Sequence, residues 1–202
     1  MNYFTSDWHF YGKNFLKNAM RSQFRSVEEM NEKIIQNLFE TVKPNDNLYF
    51  LGDIGWGFPD HFLEDFFLSL KRHKVNFHWI EGNHDSSIKI DSSCIKWRGA
   101  IKDIVIEKQP ITLCHYPMMV WNKSHYNAIQ LHGHIHYGDN TFNALKHLHD
   151  NYSSSSILRS RRLNVNIEFW RLHPVSFEEV VASMTGKENF DLVKVEDSYG
   201  VL

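Results

Sequence analysis

The chain has 202 residues, 42% of them hydrophobic and 23% charged, with a formal net charge of -2. That length suits one domain with a core on both faces of a sheet, and the near-neutral charge excludes a chain-wide basic field of the kind that coats nucleic acid. Cys94 and Cys114 are too few for a disulfide framework and point to a reducing, cytoplasmic setting. No apolar run reaches membrane-spanning length, and the first residues lack the basic and apolar regions of a signal peptide.

Asn2 to Ser6 is short and β-prone, and it runs into Asp7-Trp8-His9. Ser26 and Glu29 have capping-box spacing, and Met30, Ile34, Ile35, Leu38 and Phe39 recur at helical intervals, so residues 26 to about 42 form a predicted helix. Leu48 to Leu51 is a continuous apolar run suited to a buried strand, ending at Gly52-Asp53. Residues 60 to 73 are amphipathic at helical spacing, with Phe62, Phe66, Phe67 and Leu70 on the core side. Val75 to Ile80 is a third strand, ending at Glu81-Gly82-Asn83-His84-Asp85. Strand, helix, strand, helix, strand implies a parallel sheet with crossover helices. The second half is β-rich, through Ile101–Glu107, Ile111–Cys114, Ile129–Leu131 and Leu163–Ile167. Residues 175 to 184 form a last predicted helix capped by Ser176. The serines around Asn151 to Ser156 read as a mobile loop. A domain over 1–185 and a tail over 186–202 are expected.

One arrangement repeats. A buried strand stops, and metal-ligating residue types follow at once: Asp7 and His9, Asp53, Asn83 and His84, His115, then His134 and His136. Open α/β sheets place their sites beyond the carboxyl ends of the strands, so these residues are expected to share one crevice. Mixed carboxylate and imidazole donors favour Mn, Fe or Zn over an all-oxygen Mg or Ca cage. Gly52, Gly82 and Gly133 stand beside the ligands, where tight turns and close backbone approach are needed. Taken singly, each fragment has an ordinary structural reading, as a turn, a cap or a hydrogen-bonded histidine; their common order at strand ends is what carries the chemistry.

That order, Asp7-x-His9, Gly52-Asp53, Gly82-Asn83-His84-Asp85, His115 and Gly133-His134-x-His136, resembles the calcineurin-like metallophosphoesterase superfamily. The flanking Ser6 to Phe10 and Cys114 to Met118 segments, with Asn164 to Glu168 and Pro174 to Glu179, resemble its small stand-alone bacterial and phage members. The resemblance implies an α/β fold, a four-layer α/β/β/α sandwich of two mixed sheets flanked by helices. It implies two divalent metal ions, manganese first with Fe, Zn, Ni and Co as alternatives. Asp7, His9 and His136 would hold one, Asp53 would bridge, and Asn83, His115 and His134 would hold the other. His84 would face the substrate and protonate the leaving oxygen, with Asp85 orienting it. The implied reaction is attack on a phosphate ester by a metal-bridging hydroxide. The expected substrate is a phosphodiester, such as a cyclic nucleotide or oligonucleotide. A phosphomonoesterase, a dinucleoside-polyphosphate hydrolase and a non-catalytic metal-containing binding module are the alternatives.

Around that set, Tyr11, Lys13 and Asn14 follow the first block closely and are candidate substrate contacts. Trp121 and His125 fall on an apparent loop after His115, where they could meet a base or leaving group. Arg159, Arg161 and Arg162 are read as a solvated charge run, and Cys114 as packing.

Overall fold

The computed structural model describes residues 1–138 and 160–187. Two mixed sheets pack face to face with helices flanking them, in one α/β domain. The first sheet has the order β4-β3-β2-β1-β9. Strands β1 (Asn2–Thr5), β2 (Asn47–Phe50), β3 (Asn76–Ile80) and β4 (Ile95–Gly99) run parallel. β9 (Val175–Ser176) runs antiparallel against β1. In the second sheet, β5 (Ile101–Ile106) pairs antiparallel with β6 (Gln109–Cys114). β6, β7 (Ile129–His132) and β8 (Arg162–Asn164) are mutually parallel.

Helices α1 (Val27–Thr41) and α2 (Phe62–Arg72) connect the first three strands and pack on the outer face of the first sheet. Met30, Ile34 and Leu38 of α1 meet Leu48, Phe50 and Phe77 of the sheet in one buried cluster. Each such side chain removed from water contributes about 1.5–3 kcal/mol. A second cluster lies between the sheets, where Phe4, Leu51 and Ile80 meet Leu113, Ile129 and Leu131. The first sheet is thus buried on both faces, which is why its strands read as unbroken apolar runs rather than alternating ones.

Local chemistry sets the ends of the helices. Ser26 caps α1 by accepting from the Glu29 amide, while the Glu29 carboxylate takes the Arg25 amide rather than closing a full box. Helix α3 (Phe177–Ala182) has the complete box, Ser176 with Glu179. It starts later than the predicted 175–184, because Val175 and Ser176 pair with β1. The predicted strand 163–167 is cut short at Asn164. The Asn166 side chain caps the Glu168 amide and begins a 3-10 turn over Ile167–Trp170. Strand β4, Ile-Lys-Trp-Arg-Gly, was not anticipated; it is a partly buried edge strand with a weak apolar signal. Asn151 to Ser156 and the tail beyond Lys187 lie outside the described residues.

Candidate metal centre

Five loops, following β1, β2, β3, β6 and β7, open at one end of the two sheets. They bring Asp7, His9, Asp53, Asn83, His115, His134 and His136 together. His9 Nε2 and His136 Nε2 are 3.1 Å apart, with Asp7 Oδ1 at 3.7 and 3.6 Å from them. Asp53 Oδ2 lies 3.7 Å from His9 Nε2 and 3.4 Å from His115 Nε2, so one oxygen faces both halves of the cluster. Asn83 Oδ1 is 3.1 Å from both His115 Nε2 and His134 Nδ1. Asp7, His9 and His136 form one group able to hold a cation, and Asp7, Asp53 and His115 a second.

The donor set fits cations. His115 Nδ1 donates to the Leu51 carbonyl at 2.7 Å, which aims its Nε2 at the oxygens of Asn83 and Asp53, where either a proton or a cation must sit. Acceptors facing acceptors need a positive charge between them. Burial alone would lower the His115 pKa, but the contact with Asp53 and the charges of Asp7 and Asp53 prevail and raise it to about 9. Burial lowers His9 to about 4, and it stays neutral despite Asp7 beside it. His9 Nδ1 is buried with no hydrogen-bond partner among the described residues. For Asp7, burial opposes ionisation, yet the His9 contact and the neighbouring imidazoles hold its pKa well below the usual carboxylate range. Asp7 and His9 are thus in the states in which such groups ligate, ionised carboxylate and neutral imidazole, whereas His115 would give up its proton to a cation on binding.

The backbone is unusual at the same places. Asp7, His9, Asp53 and His134 have φ of 57, 48, 62 and 68°, the left-handed region that non-glycine residues avoid. Each such residue costs on the order of 1–3 kcal/mol and persists only when its surroundings over-determine it. Three buried charges do so. Arg21, wholly buried, donates to the carbonyls of Asp7 at 2.6 Å and Trp8 at 2.8 Å, and to Glu168 Oε1 at 2.9 Å. Glu168 in turn accepts from His136 Nδ1 at 3.0 Å and from the Tyr137 amide at 3.0 Å. On the other side, Asp85 accepts from the amides of Asp53 (2.9 Å), Ile54 (3.0 Å) and Gly82 (2.8 Å), and from Trp79 Nε1 (3.0 Å).

Glycine matters at two of these turns for lack of room. A Cβ at Gly82 would run into the Asp53 carboxylate, and one at Gly133 into the carboxylate of Asp7 and the hydroxyl of Ser6.

A calcineurin-like phosphoesterase family model matches residues 3–181. The chain belongs to the calcineurin-like phosphoesterase family. Membership, together with the Asp and His groups, supports metal-dependent phosphoester hydrolysis in general. An uncharacterized protein of Methanocaldococcus jannaschii is 29% identical over 179 residues, covering 89% of this chain and 88% of its own. The crystal structure of a protein of unknown function from Aquifex aeolicus superposes with a TM-score of 0.63 at 25% identity, over 91% of this chain and 98% of that one.

Among calcineurin-like features expected from sequence, several lie elsewhere. Asp85 does not touch the His84 imidazole: its carboxylate is taken up by three amides and the Trp79 indole, because it lies beneath the loops rather than at their rim. Trp121 is 4% exposed, packs on Ala128 and donates to the Ala128 carbonyl, so it is a small core of its own and not a substrate contact. Tyr11 packs edge-on against Phe62 and Phe58 in the α2 cluster. Lys13 and Asn14 are exposed on a 3-10 turn, Lys13–Lys17, and Asn14 lines a groove with Phe15, Asn18, His136 and Tyr137. His125 is exposed beside Tyr126. Arg161 and Arg162 are partly buried, bonded to Gln109 and to Ser160 and the Met118 carbonyl, rather than solvated. Arg159 lies outside the described residues.

The sequence reading missed Arg21, Glu168, Phe15 and Trp56. Phe15 lies flat on the His9 ring at 4.0 Å and 11°. Trp56 stands against His84 at 4.7 Å and edge-on to His9 at 5.2 Å. Glu168 ends the Asn164 to Glu168 stretch that carried part of the resemblance, and an acidic residue there could have been paired with a ligating histidine. Nothing local marks an isolated arginine such as Arg21.

Proposed function

We propose that this phosphoesterase hydrolyses phosphodiesters, of the cyclic-nucleotide or oligonucleotide kind, at a centre holding two divalent cations. Asp7, His9 and His136 would hold one cation and Asn83, His115 and His134 the other, with Asp53 available to both. The observation that carries the reading is the His115 geometry, with Nδ1 tied to a carbonyl and Nε2 aimed at two oxygens that converge on the place a cation would take. A mixture of imidazole and oxygen donors suits a first-row divalent ion, with the carboxylates admitting manganese and the imidazoles iron, zinc or nickel. Such a pair supplies Lewis acidity at the phosphoryl oxygens and a water that deprotonates near neutral pH.

The remaining work falls to the chain. Asp53 keeps its two oxygens apart in task, since Oδ1 accepts the His84 amide at 3.0 Å while Oδ2 faces the ligating imidazoles. That amide contact sets His84 beside the cluster, and its side chain is exposed to an incoming substrate. His84 then protonates the leaving oxygen, with its ring steadied by Trp56 rather than by Asp85. The buried free thiols Cys94 and Cys114 suit a cytoplasmic protein.

Two measurements test this. Stripping the protein with a chelator abolishes hydrolysis of bis(4-nitrophenyl) phosphate, and manganese restores it; turnover that survives stripping would sink the metal reading. His84→Ala keeps full metal content and loses about 10²–10⁴-fold in turnover. Loss of metal in that variant would make His84 a ligand instead.

A further inference from the structure

Exposed aromatic rings border the ligating cluster on both sides. Trp56 is 37% exposed and Tyr116 45% exposed. Trp56 sits against His84 and His9, on the Asp7–His9–His136 side. Tyr116 sits edge-on to His134 at 4.8 Å and to His115 at 5.1 Å, on the other side. An aromatic ring left partly in water at the edge of a polar cluster offers a flat apolar face to whatever group a bound molecule projects past it. A phosphate placed at the cluster would hold one ester substituent towards each ring.

We infer that Trp56 and Tyr116 are stacking platforms for planar ester substituents, which makes the substrate a phosphodiester with an aromatic or nucleobase-bearing group on at least one side of the phosphate. This rests on the phosphodiesterase reading above and narrows it. Neither ring donates or accepts a proton in the reaction; both are specificity determinants. A stacked base is worth about 1–3 kcal/mol by alanine substitution, which corresponds to roughly 5- to 150-fold in affinity, and it tolerates any planar π face.

The test is equilibrium binding of two unactivated diesters, diphenyl phosphate and dimethyl phosphate, to manganese-loaded protein, with metal content assayed on each sample. The intact chain prefers diphenyl phosphate by 10-fold or more, while Trp56→Ala and Tyr116→Ala each lose most of that preference and keep their metal. Trp56→Phe and Tyr116→Phe retain it, which separates loss of a platform from loss of fold. Equal binding of the two diesters by the intact chain overturns the inference, as does no binding of diphenyl phosphate. A preference that survives both alanine variants also overturns it. The phosphodiesterase reading fails by a separate result, absence of metal-dependent hydrolysis of bis(4-nitrophenyl) phosphate.

Discussion

Asp85→Asn replaces one oxygen of a wholly buried carboxylate by an amide nitrogen and leaves its shape unchanged. The carboxylate faces only donors: one oxygen accepts from the Asp53 and Gly82 amides and from Trp79 Nε1, and the other from the Ile54 amide. Asparagine can keep the three-donor side, but its NH2 then confronts the Ile54 N–H. One amide is left buried and unsatisfied, at about 1–3 kcal/mol, and the remaining bonds lose the charge assistance that roughly doubles their strength. The total is about 3–5 kcal/mol, or about 6–20 °C in Tm for a chain of this size. Urea unfolding of metal-free protein with an unchanged m-value would read it directly. Asp53 and Gly82 carry or adjoin ligands, so cation affinity should fall with stability. If Asp85 instead oriented His84, the variant would be as stable as the parent, within about 1 kcal/mol, and only turnover would drop; that outcome would refute the loop-anchoring argument.

Three further outcomes follow from the same geometry. Glu168→Gln combined with Arg21→Met, which removes both buried charges together, should weaken one of the two cations about 10–100-fold in a chelator-competition titration and spare the other, because Glu168 holds the His136 Nδ1 proton. Gly82→Ala should lose metal and lower the unfolding temperature, since its Cβ would meet both the carboxylate and the backbone nitrogen of the buried Asp53; atomic absorption and calorimetry on one sample decide it, and full metal content would contradict it. His78 is lowered to about 4 by burial, with Lys102 and Lys96 adding to the effect, and its Nδ1 has no partner among the described residues. Its native pKa lies below the unfolded value near 6.5, so the unfolded chain takes up the proton first and stability falls as pH drops from about 6.5 to 4. His78→Phe keeps the stack on Tyr49 at 4.6 Å and should recover about 1–2 kcal/mol at pH 4 relative to pH 7, a figure reduced for the solvent around a half-buried ring.

Much of the fold was legible because its signals are local. Ser26 and Ser176 announce helix starts through their own hydroxyls, and Leu48 to Leu51 can only be a strand buried on both faces. Asn166 defeated the strand expected over 163–167, since a side-chain cap competes with the ladder and apolar pattern alone does not weigh that contest. The ligating residue types were visible because each follows a strand end, and topology then gathers them. What orders them was not visible. Arg21 and Glu168 are distant in sequence and meet only after folding, and the task of Asp85 depends on amides, which a sequence does not distinguish. Trp121 was misplaced for a similar reason: its neighbours look like loop, and the return of Ala128 beneath it, with Met118 alongside, makes a small core among the described residues.

The central claim, a two-cation centre that performs hydrolysis, is tested most directly by titrating metal-stripped protein with manganese while recording electron paramagnetic resonance and bis(4-nitrophenyl) phosphate turnover at each step. Two ions bound per chain, a spin-coupled signal from ions about 3.5–4 Å apart and activity that rises with the second ion are expected. Saturation at a single uncoupled ion, or full turnover before the second is bound, would contradict it.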